Sequence, residues 1–327
     1  MNRIVILPVV ISSFLILSFL VTPLAIASDI PNTYYVAPWG CDCGSGLEHD
    51  PWYTIGWAID QACDGDTLRI MDDDDEYTVD YEENLVVDKP LTIESYPPST
   101  PNPQVKASAP DKNVFKVTSD HVTIRGLDIF GATGSGQAGI HLFNANHCTI
   151  ENNRCGWDEA HANERGIALH SSSDNIIVGN TCSYNKYYGI RLCYSCDNNL
   201  ICFNELTDNA LSNAFSGGSS STWYSLIPVT YEYRGATYRN YLGNYYGSEY
   251  LGIDLDNDGI GDTATPHNVA GVNDNYPLVD IPGSYIVSPD EPWPPIPELP
   301  AVALFSLGLV ALAGGLMVLR QRHKQTA

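Results

Sequence analysis

Between residues 138 and 204 one pattern of apolar and polar positions recurs three times: AGIHLFNANHCTIENN, RGIALHSSSDNIIVGN and YGIRLCYSCDNNLICFN. Gly139, Gly166 and Gly189 lie 27 and 23 residues apart, and Asn153, Asn180 and Asn204 close the units 27 and 24 apart. A fainter copy, SDHVTIRGLDI, sets Ile124 in register with Ile150, Ile177 and Ile201. The alternation at Ile140/Leu142, Ile167/Leu169 and Ile190/Leu192 predicts strands, because runs this short with a period of two fit no helix. A repeat of about 24 residues built from strands and turns cannot bury its own apolar face, so it must stack on its neighbours as a solenoid. Stacking places equivalent residues about 4.8 Å apart in adjacent coils, so like side chains form ladders. Asn153, Asn180 and Asn204 then make an amide ladder inside a turn. Two ladders point outward: His141, Ala168 and Arg191 in one, and Phe143, His170 and Cys193 in the other. Cys155 and Cys182 share one offset. That brings their Cα atoms to about 5 Å, compatible with a disulfide, while an unbonded cysteine there behaves as a small apolar residue.

These repeats resemble those of right-handed parallel β-helix proteins, the pectate-lyase-like solenoids. The opening segment, YYVAPWGCDCGSG…PWYTIGWAIDQACDGDTLRI, is similar to the start of many such proteins, where a short amphipathic helix covers the open end of the coil. Ile55, Ala58, Ile59 and Ala62 give the helical stripe, ended by Gly65. A cover is physically required, because a bare coil exposes unpaired backbone groups. LVVDKPLTIES reads as the first full coil. The closing segment, YLGNYYGSEYLGIDLDNDGIGDTATPHNVAGVNDNYPLVD, resembles that of NosD-like β-helix proteins, which include periplasmic proteins associated with copper and cell-surface proteins. The resemblance runs over residues 33–280. It implies an all-β, single-stranded right-handed parallel β-helix with an N-terminal capping helix, and says little about activity, since one fold hosts many functions.

The chain ends frame this domain. Arg3, the apolar run from Ile4 to Leu24 and Ala25-Ile26-Ala27 read as a signal peptide over residues 1–27, which puts the β-helix at 28–280. Seven prolines between Pro282 and Pro300 make residues 281–300 a stiff spacer. Ala301–Leu319 is an unbroken apolar stretch of nineteen residues, long enough to span a bilayer, and residues 320–327 form a basic cytoplasmic tail. Pro297-Glu298-Leu299 with that tail resembles the PEP/PEF-type C-terminal sorting signals, which implies a sorting protease as a partner. The expected location is therefore the cell surface or a periplasm-like space. The net charge of −23 excludes nucleic acid as a partner and favours cations. A structural, adhesive or glycan-binding role in the cell envelope is expected of such a surface-held solenoid, with extracellular glycan or envelope and S-layer proteins as its partners.

Candidate chemistry falls in three places. In GIDLDNDGIGD, Asp254, Asp256, Asp258, Gly259, Ile260 and Asp262 follow the order of a calcium-binding loop, with Thr265 in place of the closing glutamate. Asp274 is the expected further carboxylate, and the ion, Ca2+, is structural. The longer turn CGWDEAHANERG gathers Asp158, Glu159, His161 and Glu164 beside Trp157; as carboxylates near an aromatic they are the candidates for a polysaccharide lyase or glycoside hydrolase. Trp157, His141, His170 and Arg191 are the candidate ligand-binding residues. His141, His170 and Cys193, on neighbouring coils, form the soft donor set that copper delivery would need. Nine cysteines in an exported chain favour disulfides, and Cys41 and Cys43 with Cys63 are placed to staple the N-terminal cap.

Overall fold

The structure, a computed structural model, describes residues 31–73, 79–97, 102–218, 220–262, 267–269 and 272–291. The expected signal peptide, most of the proline-rich spacer, the apolar stretch and the basic tail lie outside them. Among the described residues no helix is long and apolar enough to cross a membrane.

The chain winds through about six right-handed turns. Each turn adds one strand to each of three parallel sheets. The first sheet runs Thr33–Val36, Thr67–Ile70, Thr92–Ser95, Thr123–Arg125, Thr149–Glu151, Ile176–Val178 and Leu200–Cys202. The second runs Leu85–Val87, Phe115–Val117, Ala138–Phe143, Arg165–His170, Tyr188–Leu192 and Ser212–Ser216. The third runs Tyr81–Glu82, Gln104–Lys106, Asp128–Phe130, Arg154–Cys155, Thr181–Ser183 and Glu205–Thr207. The predicted register holds: Ile124, Ile150, Ile177 and Ile201 are paired in succession and fully buried.

Apolar ladders fill the interior from all three sides. In the second sheet Phe115, Ile140, Ile167 and Ile190 face inward beside Val117, Leu142, Leu169 and Leu192. In the third, Ile129, Cys155, Cys182 and Leu206 occupy successive inward positions. Cys155 and Cys182 therefore stack as expected, yet the structure holds them as buried free thiols that hydrogen-bond each other, in a position their neighbours fill with aliphatic side chains. Cys41 is bonded to Cys43, two residues along, and Cys63 is free and exposed. The staple expected from Cys63 is not formed in the structure.

Amide ladders close each of the three corners. At the first, Asn153 donates through Nδ2 to Asn180 (3.1 Å), Asn180 to Asn204 (3.0 Å) and Asn204 to Asn244 (2.9 Å). The second corner carries Asn185, Asn209 and Asn213, and the third Asn175, Asn199 and Ser221. A neutral amide stack leaves its last N–H groups seeking an acceptor, and a carboxylate supplies one with no donor of its own. The first ladder ends on Asp274, the second on Glu249. The chain enters the first corner in the left-handed region: Gly179 has φ +68°, and a Cβ there would lie 2.2 Å from Asn152 Oδ1.

Both ends of the coil are covered. The helix Ile55–Gln61 buries Ile55, Ala58 and Ile59, with Thr54 as its N-cap. Glu83 fixes it to the first coil by accepting from Ile55 N and Gly56 N, both at 2.8 Å. The helix stops at Gln61, ahead of Gly65, which makes the following turn (φ +86°). At the far end Val229–Tyr233, Ala236–Asn240 and Tyr285–Val287 form an antiparallel sheet, over a cluster that includes Tyr231, Tyr233, Leu242, Ile260, Leu278 and Tyr285.

Candidate functional site

The inward positions of the second sheet are spent on packing, so its chemistry lies on the outward ones. Register sets Val86, Lys116, His141, Ala168, Arg191 and Phe215 in one ladder, and His170 beside Phe143 in the next. Arg165 and Tyr188 share a third, at the start of their strands. No aspartate or glutamate stands at any of these positions, although the chain has 39 acidic residues against 16 lysines and arginines.

Aromatic rings hold the cations in place. Lys116 Nζ lies 5.2 Å from the centroid of Phe143, which is stacked on His170 at 5.1 Å. The Arg191 guanidinium lies 5.7 Å from Phe215 and 6.0 Å from Tyr188, and its Nη1 donates to Cys193 Sγ at 2.7 Å. Arg165 donates from Nη1 to Gly136 O, and its Nε is buried with no hydrogen-bond partner. Burial pushes the pKa of His141 down to about 4, reinforced by the positive charges of Arg165, His170, Lys116 and Arg191. The face is thus electropositive and carries a neutral imidazole at its centre. Fixed cations backed by rings suit anionic groups and the flat faces of sugars.

Lys116, Arg165, Tyr188 and Phe215 belong to this face but were not among the candidates. Aligning one unit further back, with Phe115-Lys116-Val117 against Ile140-His141-Leu142, would have found Lys116. The residues just before Gly166 and Gly189 are Arg165 and Tyr188, so the repeat glycine also marked them.

The turn from Gly156 to Glu164 is arranged differently from the expectation. Trp157 is stacked on His161 (centroids 4.4 Å apart, planes at 13°) and carries the Arg154 guanidinium at 4.1 Å, so its ring is engaged within the protein. Asp158 accepts from Ala160 N and His161 N and pairs with His161 Nδ1 at 2.8 Å. Burial opposes ionisation there, but the bonds from His161 hold the Asp158 carboxyl below its ordinary range. Glu164 is buried and accepts from Gly136 N at 2.5 Å, beside Arg165, and Glu159 is exposed. Asp158 thus serves the turn's own backbone, and Glu164 ties the turn to the preceding coil at Gly136.

The acidic loop brings together part of its expected set. Oxygens of Asp254, Asp256 and Asp262 lie within 4.8 Å of one another, and this hard-oxygen group fits a cation such as calcium. Asp258 instead turns inward, accepting from Asn240 Nδ2 and Ile260 N at 2.8 Å, and burial raises its pKa. Ile260 is buried and bridged to Leu278. Asp274 is a correction. It is fully buried at the end of the first amide ladder, where Asn244 N (2.8 Å), Tyr246 OH (3.1 Å) and Tyr276 N (3.0 Å) donate to it. Its burial raises its pKa to about 7. Among the described residues the groups of three or more histidine, cysteine or acidic side chains able to share an ion are Asp254/Asp256/Asp262 and Asp72/Asp73/Asp80. His141, His170 and Cys193 do not converge to that extent.

Three parallel sheets wound around one ladder-filled core define a right-handed parallel β-solenoid. Within it residues 114–252, less than half of the chain, match the family described as periplasmic copper-binding protein (NosD), which bears out the resemblance over the central coils. No curated protein matches the chain. Similar solved structures include an alginate lyase from Paenibacillus sp. str. FPU-7, at 17% identity over 58% of this chain and 64% of that one, with a TM-score of 0.42. A rhamnogalacturonan lyase matches at 17% identity over 58% and 59%, with a TM-score of 0.41. The chain spans less than two thirds of the length of either.

Proposed function

We propose that the protein is an exported, envelope-associated β-solenoid that binds acidic extracellular glycan along the outward face of its second sheet. One observation carries this reading: Lys116, His141, Arg165, His170 and Arg191 share that face with Phe143, Tyr188 and Phe215 and with no acidic ladder position, in a chain whose net charge is −23. Rings alone would serve a neutral sugar. Three fixed cations call for carboxylate or sulfate groups. Calorimetric titration with polygalacturonate, alginate, dextran sulfate and neutral dextran tests it. The anionic polymers bind, binding weakens as salt rises, and neutral dextran does not bind. Arg191→Ala and Lys116→Ala each weaken binding about five- to tenfold, the scale of one partly exposed charged hydrogen bond. Equal binding of neutral dextran, or full affinity in both variants, refutes the proposal.

The family description favours a second reading, copper handling, in which His170 and Cys193 hold Cu(I). Copper retained through dialysis by the wild type and lost on replacing both residues supports it; no retention rules it out. Under either reading, Ca2+ held by Asp254, Asp256 and Asp262 is structural, neutralising the loop that covers the last coil.

A further inference from the structure

We infer that the C-terminal cover of the coil rests on a lipid bilayer, with Leu251, Ile253 and Leu255 entering its headgroup boundary. The inference goes beyond glycan binding and rests on the envelope-associated part of that reading, with Ala301–Leu319 as the bilayer anchor.

The loop that follows Tyr250 has two unlike sides. A Cβ on Gly252 would lie 1.9 Å from Tyr250 Oη, and Tyr250 packs against the main core, so position 252 faces the protein. Asp254 also turns inward, its carboxylate accepting from Asp258 N (3.1 Å) and Gly259 N (2.9 Å). Alternate side chains of an extended segment leave on opposite sides. Leu251, Ile253 and Leu255 accordingly point out, 86%, 59% and 74% exposed. The segment is held in this shape: Ile253 O accepts from Asp262 N and Leu255 N donates to Asp262 Oδ2, both at 2.8 Å. Among the described residues the three most exposed leucine, isoleucine or valine side chains are Leu251, Leu255 and Ile286, all in the C-terminal cover. Single exposed apolar residues are ordinary, but three at alternate positions form one strip, the mark of a surface that meets another apolar one.

What meets the strip follows from where the chain goes next. The last strand of the cover, Tyr285–Val287, leads to Glu291, which accepts from Thr230 N and Arg239 Nη1. Ten residue steps separate Glu291 from Ala301, a reach of at most about 36 Å. The anchor therefore keeps this end of the coil beside the bilayer, and an apolar strip held there is drawn out of water into the boundary. Asp256 and Asp262, exposed beside it, repel an anionic surface, so the matching surface is zwitterionic. The coil then stands end-on, and the outward face of its second sheet runs away from the membrane.

The full chain reconstituted into phosphatidylcholine vesicles tests this. Fluorescence of the wild type, Leu255→Trp and Leu47→Trp is compared between ordinary lipid and lipid brominated on the acyl carbons nearest the headgroup. Leu47 is exposed in the N-terminal cover, at the opposite end of the coil. Side chains docked at the interface lie about 5–10 Å into the boundary, so brominated lipid should remove about half or more of the emission that Leu255→Trp adds to the wild type, and almost none of that added by Leu47→Trp. Equal quenching of the two added tryptophans, or quenching of neither, overturns the inference and leaves glycan binding standing. A chain that fails to float with the vesicles overturns it together with Ala301–Leu319 as the anchor.

Discussion

Asn180→Ala measures what a ladder amide contributes. The side chain is fully buried. Its Oδ1 accepts from Asn153 N (3.0 Å) and Asn153 Nδ2 (3.1 Å), and its Nδ2 donates to Ile150 O (2.9 Å) and Asn204 Oδ1 (3.0 Å). Truncation to alanine strands the Asn153 backbone N–H and one of its side-chain hydrogens in a site closed to water. The Asn204 oxygen keeps a partner, because Asn180 N still donates to it at 2.8 Å. Two stranded donors at roughly 1–3 kcal/mol each give a loss of about 4 kcal/mol. Urea unfolding followed by far-ultraviolet circular dichroism reads the change. With a slope of about 3 kcal/mol per molar urea, the midpoint falls by about 1.3 M. Leu211→Ala, at an exposed apolar side chain, is the control and should move stability by less than about 0.5 kcal/mol. A loss below about 1 kcal/mol in Asn180→Ala would show that the corner amides follow the stack without holding it.

Three further outcomes follow from the corners and loops. Asp274 has a folded-state pKa near 7 because of burial, against about 4 when unfolded, so the folded state binds the extra proton and this carboxyl's contribution to stability falls as pH rises from about 4 to 7; the melting-temperature difference between wild type and Asp274→Asn should shrink or change sign across that window, and a constant difference contradicts the assignment. Calcium should raise the melting temperature and chelator lower it in the wild type but not in Asp254→Asn/Asp256→Asn, and an identical response in both would remove the ion from the loop. Asp158→Ala and Glu159→Gln should leave binding of anionic polymers within about twofold of wild type, with Asp158→Ala alone costing about 1 kcal/mol of stability through the lost turn bonds; a collapse of binding would return this turn to the site.

The register of the coil was legible because stacking forces equivalent residues into identical surroundings. Ile124, Ile150, Ile177 and Ile201 repeat since each meets its own copy above and below, and Asn153, Asn180 and Asn204 repeat since each amide bonds the next. Positions outside that translation were harder to read. Asn244 continues the first ladder after a 40-residue excursion, so no period pointed to it. Asp274 looked like a metal ligand because a carboxylate near an acidic run suggests one; its role follows only from the direction of the amide bonds, whose last N–H groups need an acceptor. The turn from Gly156 to Glu164 misled for a related reason. Carboxylates, histidine and tryptophan crowded in sequence suggest chemistry, yet short polar turns use the same residues to cap their own backbone.

The outward face is where sequence and fold part company, and that gives its composition weight. Packing dictates the inward ladders: Ile140, Ile167 and Ile190, like Leu142, Leu169 and Leu192, each meet their own kind across a step of about 4.8 Å. It dictates nothing outward, where Lys116, His141, Ala168, Arg191 and Phe215 succeed one another with no resemblance in size or polarity. An acidic chain under no other constraint would set aspartate and glutamate on such positions, as it does along its exposed loops. Lysine and arginine make up 16 of 327 residues, about one in twenty, yet Lys116, Arg165 and Arg191 stand together here. Like charges set close together destabilise a folded face; Glu164 offsets Arg165 at 3.5 Å, whereas Lys116 and Arg191 rest on aromatic rings, and burial together with these cations holds His141 neutral. The cost left at Lys116 and Arg191 is the one that the anionic ligand of the proposed function would relieve on binding.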